Sequence, residues 1–167
     1  MYKEIMIKDL QINPFSMLSN EWMLITTGSK TKYNSMTASW GGFGVLWNKN
    51  VATAYIRNTR YTYELMNSND YFTLSFYDEK YQYALKVLGT LSGRQSDKIG
   101  LSELTPTFEE NAPFFTEAKM VFVCKKIYHS DIDPKNFDDK TIDSKIYPLK
   151  DYHRLFIGEI IKILVQE

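Results

Sequence analysis

The sequence predicts a mainly β protein, a β-barrel with inserted helices. Several short segments rich in β-branched and aromatic residues follow one another at short spacing, which is typical of barrels and sandwiches. Only two segments have apolar residues at helical spacing, so most neighbouring strands have no helix between them. A doubly wound sheet needs such helices and is the less favoured alternative. With 167 residues and no repeat or linker, the chain is predicted to form one domain over residues 1–167.

The first part of the chain is predicted to form four strands. A loose alternation of apolar residues indicates a short edge strand, and runs of β-branched, aromatic and small residues indicate the other three. The third strand is expected to kink at Gly41-Gly42, because glycine often marks a bend in a strand. The four predicted strands cover residues 2–7, 22–29, 33–48 and 51–57.

The rest of the chain is predicted to contain both helices and three further strands. The first helix is expected directly after the strand that ends at Arg57, with Asn58 or Thr59 as its N-cap and Asn69-Asp70 at its end, because such side chains bond to free backbone groups. The second helix is expected over residues 80–91, and the strands over residues 71–77, 120–128 and 155–165. Prolines limit regular structure over residues 101–115. Polar loops are predicted over residues 92–100 and, with many aspartates, over residues 130–150.

Composition and charge argue against several classes of protein. The 20 basic and 20 acidic residues balance, so the chain lacks the basic surface of nucleic-acid-binding proteins. No stretch is long and apolar enough to span a membrane, and the N-terminal MYKEIMIKDLQINPF is not predicted to be a secretory signal. The single cysteine, Cys124, suits a cytoplasmic protein without disulfides. With only two histidines in addition, no metal site is predicted.

The uncharged stretch from Tyr33 to Asn48 is the first candidate site. It combines amides and hydroxyls with three glycines and two tryptophans. Glycine lets a flat ligand approach the backbone, small polar side chains bond to its edge, and tryptophan supplies an apolar face. A planar ligand with polar edges would fit, although a tight strand crossing in a β-rich core explains the same residues. The candidate ligand-binding residues are Asn34, Met36, Thr37, Ala38, Ser39 and Trp40.

Two clusters of basic and small polar residues are candidate phosphate sites. The first lies where a predicted strand meets a helix, so free N–H groups and guanidinium groups could attract an anion. The second is a Ser-Gly loop that could wrap a phosphate, although it lacks the spacing of a P-loop. Ion pairs at the surface explain the same arginines. The first cluster is Arg57, Thr59, Arg60, Tyr61 and Thr62, and the second is Ser92, Gly93, Arg94, Asp97 and Lys98.

His153 precedes the last predicted strand and is the candidate catalytic residue. Histidine in such a place could orient a ligand or pass a proton. A structural hydrogen bond is the more frequent role of a residue in this position. The chain has neither a G-x-S-x-G nor a G-x-G-x-x-G motif.

Taken together and in this order, the clusters resemble the flavin reductase-like family of FMN-binding split barrels, which includes flavoredoxin. The resemblance extends over nearly the whole chain from Trp22 onward. Asn50 and Asn58 stand where many relatives have proline, which should change the stiffness of the loops but not their charge. The matching segments are NSMTASWGGFGVLW (34–47), IRNTRYTYELM (56–66), YFTLSF (71–76), LGTLSGRQSDKI (88–99) and YHRLFIGEI (152–160).

The resemblance implies a homodimer of split barrels in which FMN lies near the subunit interface. The first candidate site would line the flavin ring and the ribityl chain, and His153 would stand near the flavin face where a reductant docks. Asp97 would hold Lys98 or Arg94. Because the cofactor carries the redox chemistry, the lack of a nucleophile or metal set is expected. The residues implied at the phosphate are Arg57, Thr59, Arg60 and Tyr61, completed by Ser92, Gly93, Arg94 and Lys98.

For function, the resemblance implies an oxidoreductase that takes hydride from NADH or NADPH onto bound FMN. Its electrons would pass to free flavin, oxygen or a protein partner. A flavoredoxin-like electron carrier without a dedicated NAD(P)H-dependent activity is the alternative from another class. A barrel for haem or another planar ligand, or one that has lost its ligand, is disfavoured by the arginines. Oxidation of a pyridoxine phosphate is disfavoured because the motifs match the reductase branch better.

Overall fold

Strands make up most of the regular structure of the protein. The computed structural model describes residues 1–167 and contains ten strands and five short α-helices. The strands are β1 (Tyr2–Ile5), β2 (Met23–Ser29), β3 (Lys32–Ala38), β4 (Gly41–Leu46), β5 (Lys49–Arg57), β6 (Tyr71–Phe76), β7 (Pro106–Thr107), β8 (Phe114–Phe115), β9 (Met120–Asp131) and β10 (His153–Gln166). The helices are α1 (Pro14–Ser16), α2 (Tyr61–Ser68), α3 (Gln82–Thr90), α4 (Lys98–Ser102) and α5 (Thr141–Ile146). None of these helices has the length and apolar character needed to cross a membrane.

Eight of the strands form one antiparallel sheet. Its order is β3-β2-β6-β9-β10-β5-β4, and β1 pairs with the C-terminal end of β10. The remaining two strands, β7 and β8, pair only with each other. β3 and β4 lie at opposite ends of this order, yet only Ser39 and Trp40 connect them along the chain. Because the three steps from Ala38 to Gly41 span at most about 11 Å, the sheet must curl until its two edges lie side by side.

This architecture confirms the predicted mainly β class with inserted helices. The prediction of one kinked strand over residues 33–48 is wrong, because the chain forms two strands there. The break falls at Ser39-Trp40 and not at Gly41-Gly42. β3 pairs with β2 whereas β4 pairs with β5, so the chain leaves one edge of the sheet and joins the other.

Several element boundaries also differ from the prediction. Helix α2 begins at Tyr61 with Arg60 in the N-cap position, so the predicted caps Asn58 and Thr59 are wrong. These two residues lie in a turn that the Arg60 N–H closes by donating to the Arg57 carbonyl. The predicted end of the helix at Asn69 is confirmed. The segments predicted as loops or as irregular contain α4, the β7–β8 pair and α5.

Two apolar clusters fill the two faces of the curled sheet. Side chains alternate between the two faces along each strand, so Phe122 of β9 belongs to one cluster while its neighbours Val121 and Val123 belong to the other. The second cluster also contains Leu85 and Leu88 of α3. Helix α3 therefore packs on the outer face of the sheet, and this packing fixes the position of its C-terminal end.

β10 passes very close to β6 and β9 at Gly158. A Cβ atom at this position would lie 2.6 Å from Cζ of Phe72 and 2.8 Å from Cβ of Cys124. The register between β9 and β10 shifts beside it, between Ile157 and Gly158. Only glycine therefore leaves room for the Phe72 ring at the centre of the core.

Gly158→Ala is expected to lower the free energy of unfolding by about 1–3 kcal/mol, because the added methyl group overpacks the core. Gly44→Ala on β4 is the matched control, since a Cβ there meets no atom of the same chain within 4 Å. We expect the control to change stability by less than about 0.5 kcal/mol. Equilibrium unfolding in urea compares the two variants, and equal losses would contradict the close approach at Gly158.

Candidate functional site

A cavity of about 410 Å³ opens where the two edges of the sheet meet. Its walls come from the end of β3, the connection to β4, the facing ends of β5 and β10, and one side of α3. In the sheet, His153 pairs directly with Arg57, which brings the start of β10 to the end of β5. The lining residues are Trp22, Met36, Thr37, Ala38, Ser39, Trp40, Tyr55, Arg57, Leu85, Lys86, Gly89, Thr90 and His153.

Most of the first predicted cluster lines this cavity. Residues 36–40 all contribute, and Trp40 remains 45% exposed, so its indole is accessible from solvent. The Thr37 hydroxyl donates to the Leu85 carbonyl, which ties β3 to α3. Asn34 lies elsewhere, because it is buried and its amide donates to the Thr62 hydroxyl at 2.8 Å.

A smaller pocket of about 80 Å³ lies beside the large cavity. Thr90, at the end of α3, lines both of them. The small pocket also lies at the N-terminus of α2, where no side chain caps the free N–H groups. It brings together most residues of the two predicted phosphate clusters. Its lining consists of Thr59, Arg60, Tyr61, Thr90, Leu91, Ser92, Gly93 and Lys98.

Two cations lie side by side in the small pocket. Arg60 Nη1 donates to the Gly89 carbonyl at 2.8 Å, and Lys98 Nζ donates to the Leu88 carbonyl at 3.0 Å. Neither cation forms a salt bridge with a carboxylate. Burial, together with the charge of Arg60, lowers the pKa of Lys98 to about 8. Burial also lowers the pKa of Arg60. A bound anion would relieve this repulsion, so the pocket has the electrostatics of an anion site.

Arg94, also predicted at the phosphate, is engaged in other contacts. It forms an ion pair with Glu64 and donates to the Thr59 carbonyl at 3.0 Å. Its guanidinium lies 5.4 Å from the centre of the Tyr61 ring. Asp97 pairs with neither Arg94 nor Lys98, contrary to the expectation from the sequence. Its side chain instead accepts the Gly100 N–H and caps α4.

Arg57 and Arg60 lie at different places in the site. Arg57 lines the large cavity and not the small pocket. Its guanidinium forms an ion pair with Asp151 and donates to the Ile146 carbonyl at 3.1 Å. It also lies 5.4 Å from the centre of the Tyr147 ring. The two arginines that the sequence grouped together therefore serve opposite ends of the site.

His153 is buried in the wall of the large cavity. Its Nδ1 atom lies 2.8 Å from the Tyr147 hydroxyl, and its ring centre lies 4.9 Å from that of Trp40. Burial first, and then the cation of Arg57, lower the pKa of His153 to about 4, whereas Asp151 acts in the opposite direction. The ring is therefore neutral at pH 7 and does not serve as an acid there.

Tyr147 is the contact that sequence reasoning missed. It lies in the segment predicted as a surface loop, yet it is only 2% exposed. The available signal was aromatic, because Phe137, Tyr147 and Tyr152 interrupt an otherwise acidic stretch. Other lining residues, such as Leu85 and Gly89, follow the helical spacing of α3. Nothing in the sequence around Trp22 indicated that it would line the cavity. In the structure its φ is 65°, which is unusual for a bulky residue.

The two cavities together fit a planar ligand that carries an anionic tail. The large cavity offers the indole face of Trp40 and small polar side chains along one wall. The small pocket offers two cations without carboxylate partners. The residues present therefore fit a flavin with a phosphate, because its planar ring and its anionic group match these two sets of side chains.

Comparison with known proteins identifies the family of this chain. The family model for the flavin reductase like domain matches residues 15–167. The chain therefore belongs to the flavin reductase-like family, and the resemblance seen in the sequence is confirmed. No match was found among curated protein sequences.

Solved structures share the split-barrel fold of this chain. Flavoredoxin from Desulfovibrio vulgaris (Miyazaki F) is 25% identical with a TM-score of 0.66, over 87% of this chain and 69% of that one. The FMN-binding domain of a flavin reductases-like enzyme from Shewanella baltica OS155 is 15% identical with a TM-score of 0.68, over 99% and 77%. The NADH:FAD oxidoreductase from Streptomyces globisporus C-1027 is 14% identical with a TM-score of 0.65, over 87% and 75%.

Proposed function

We propose that the protein is an FMN-binding oxidoreductase that accepts hydride from NADH or NADPH. Its electrons pass to free flavin, oxygen or a protein acceptor. The observation that carries this proposal is the pair of cations without carboxylate partners, Arg60 and Lys98, next to a cavity that the indole of Trp40 lines. The bound flavin supplies the redox chemistry, and the protein supplies binding, orientation and electrostatics.

The two cavities divide the binding of FMN between them. Residues 36–40 are proposed to line the flavin ring in the large cavity. The phosphate is proposed to lie in the small pocket, against Arg60, Lys98 and the hydroxyl of Ser92. The N-terminus of α2 adds free N–H groups and the positive end of a helix dipole. Thr59, Tyr61 and Gly93 shape the same pocket, and Arg94 supports its outer wall through Thr59 and Tyr61.

His153 and Arg57 are proposed to act at the other end, where the reductant docks. His153 is neutral and lies against Trp40, so it offers a hydrogen bond and not a proton. Arg57 forms an ion pair with Asp151, so it would contribute hydrogen-bond donors and little net charge.

The first test follows the visible spectrum of the purified protein without oxygen while NADH, and then NADPH, is added. We expect a flavin spectrum that bleaches with one of them, which would also identify the donor. A bound flavin that stays oxidised with both would favour the electron-carrier alternative, in line with the likeness to a flavoredoxin. A protein without flavin that binds no added FMN would contradict the proposal.

Arg60→Met and Lys98→Met are each expected to weaken FMN binding by about 10- to 100-fold. Hydrogen bonds to a charged group contribute roughly 1.5–3 kcal/mol, and 1.4 kcal/mol corresponds to a factor of ten. Riboflavin lacks the phosphate, so its affinity should change little. Titration of the apoprotein with each flavin, followed by fluorescence, measures both constants.

Lys126→Met is the matched control for Lys98→Met. Lys126 also donates to carbonyls at the end of a helix, those of Met66 and Asn67 in α2, but it lies outside both cavities. FMN affinity should be unchanged in this variant. An equal loss of FMN and riboflavin in Lys98→Met would remove Lys98 from the phosphate site.

We also propose that the protein forms a homodimer through β4. This strand is at the edge of the sheet, and its end carries an apolar surface. Val45, Leu46 and Trp47 are 74%, 38% and 56% exposed. Contiguous exposed apolar residues mark interaction surfaces, and an open strand edge offers unpaired backbone groups as well. The exposed Trp40 precedes the same strand, so the second subunit would lie close to the cavity.

Val45→Glu is expected to convert the dimer to a monomer, because the interface would have to bury an unpaired carboxylate. Phe15→Glu is the control, since Phe15 is also an exposed apolar residue, at 84%, but lies on α1. Sedimentation equilibrium measures the mass of each variant in solution. A wild-type protein that is monomeric at micromolar concentration would contradict the proposal.

A further inference from the structure

The segment from residue 132 to residue 151 forms part of the surroundings of the large cavity. Tyr147 connects this segment to the cavity wall. Its ring lies 6.1 Å from that of Phe137 and 4.9 Å from that of Tyr152. Arg57 donates to the neighbouring Ile146 carbonyl and lies against the Tyr147 ring. These contacts on several sides fix the position of the Tyr147 hydroxyl group.

The contacts of this hydroxyl group determine how its proton is used. The Tyr147 oxygen lies 2.8 Å from Nδ1 of His153. Burial raises the pKa of Tyr147, while the cation of Arg57 opposes the rise. A phenol has one proton to donate and lone pairs to accept with. Nδ1 of His153 is the only hydrogen-bond partner of this hydroxyl, so the phenol proton has no other acceptor and is donated to Nδ1.

Because His153 is neutral, the position of its one ring proton, on Nδ1 or on Nε2, still has to be assigned. The groups that face the ring are Arg57, Asp151, Tyr147 and Trp40. Burial keeps the imidazole neutral at pH 7, with a pKa of about 4. A neutral imidazole carries its proton on one nitrogen only, and the hydrogen bond made by the other nitrogen selects which one.

We propose that Tyr147 is a positioning residue that holds His153 in the Nε2–H tautomer, so that the ring presents a hydrogen-bond donor to the cavity. His153 lines the cavity whereas Tyr147 does not, so the ring edge opposite Nδ1 is the one that faces a docked molecule. A neutral N–H donor recognises an acceptor such as a carbonyl oxygen. The carboxamide of a nicotinamide has one, and this part of the inference rests on the proposed function.

The tautomer is measured directly by NMR on the full-length protein labelled with ¹⁵N-histidine. Long-range ¹H–¹⁵N correlations show which ring nitrogen carries the proton. His129, exposed on β9, is the only other histidine, and His129→Gln assigns the two sets of signals. In the wild-type protein at pH 7 we expect a protonated Nε2 and an unprotonated Nδ1 at His153. In Tyr147→Phe we expect the Nδ1–H form to appear.

Tyr152→Phe is the matched control, because its hydroxyl donates to Asp143 while its ring packs against Tyr147. It should leave the His153 tautomer unchanged. A proton on Nδ1 in the wild-type protein, or an unchanged tautomer in folded Tyr147→Phe, would overturn the proposal. If Tyr147→Phe does not fold, the wild-type spectrum alone decides.

A second measurement tests the role of the donor in docking. In flavin-loaded Tyr147→Phe, we expect the dissociation constant of the nicotinamide reductant to rise about five- to tenfold, the size of one hydrogen bond. FMN affinity should stay at its wild-type value. The NMR result needs neither flavin nor reductant. A wild-type protein that NADH and NADPH cannot reduce would therefore overturn the proposed function and leave the tautomer assignment standing.

Discussion

The two-residue connection between β3 and β4 is the constraint on which the rest of the structure depends. It joins strands at opposite edges of the sheet, so the edges must meet, but no ladder of hydrogen bonds forms between them. Backbone groups and side chains along this seam remain available to a ligand. Helix α3 packs against β3 beside the seam through the contact of Thr37 with Leu85. The cavity therefore results from the way the sheet curls, because it lies between the two edges that meet.

The small pocket, which has the electrostatics of an anion site, also depends on helix α3, through the carbonyl groups at its C-terminal end. The C-terminal end of a helix carries partial negative charge on its free carbonyl groups. The carbonyls of Leu88 and Gly89 stabilise Lys98 and Arg60 in positions where no carboxylate is present. A carboxylate would neutralise one of the two cations. The partial negative charge of a helix end stabilises them without neutralising them, so they can still attract an anionic ligand. This explains how Lys98, which is buried, can lie beside Arg60 although neither has a carboxylate partner.

The sequence was informative where the signal is local. The residue types at 36–40 and around Arg60 and Lys98 indicated a planar ligand and an anion, and strand periodicity indicated the sheet. The family resemblance gave the split barrel. Position across the sheet was not predictable, because it depends on register. The pairing of His153 with Arg57 moves Arg57 away from Arg60, although only two residues separate them. Tyr147 was not predicted for a related reason, since its contacts with Arg57 of β5 and His153 of β10 depend on how the intervening segment folds back on the sheet.

The 132–151 segment, together with Tyr152, joins β9 to β10, which are direct neighbours in the sheet. Its two ends are held together, because the Ile132 N–H donates to the His153 carbonyl at 3.0 Å. Lengthening a loop whose ends already meet costs little entropy. Insertions and deletions here would leave the sheet and the anion pocket intact while changing what reaches the imidazole. The length of this one connection could therefore alter access to His153 while the residues around Arg60 and Lys98 keep their positions.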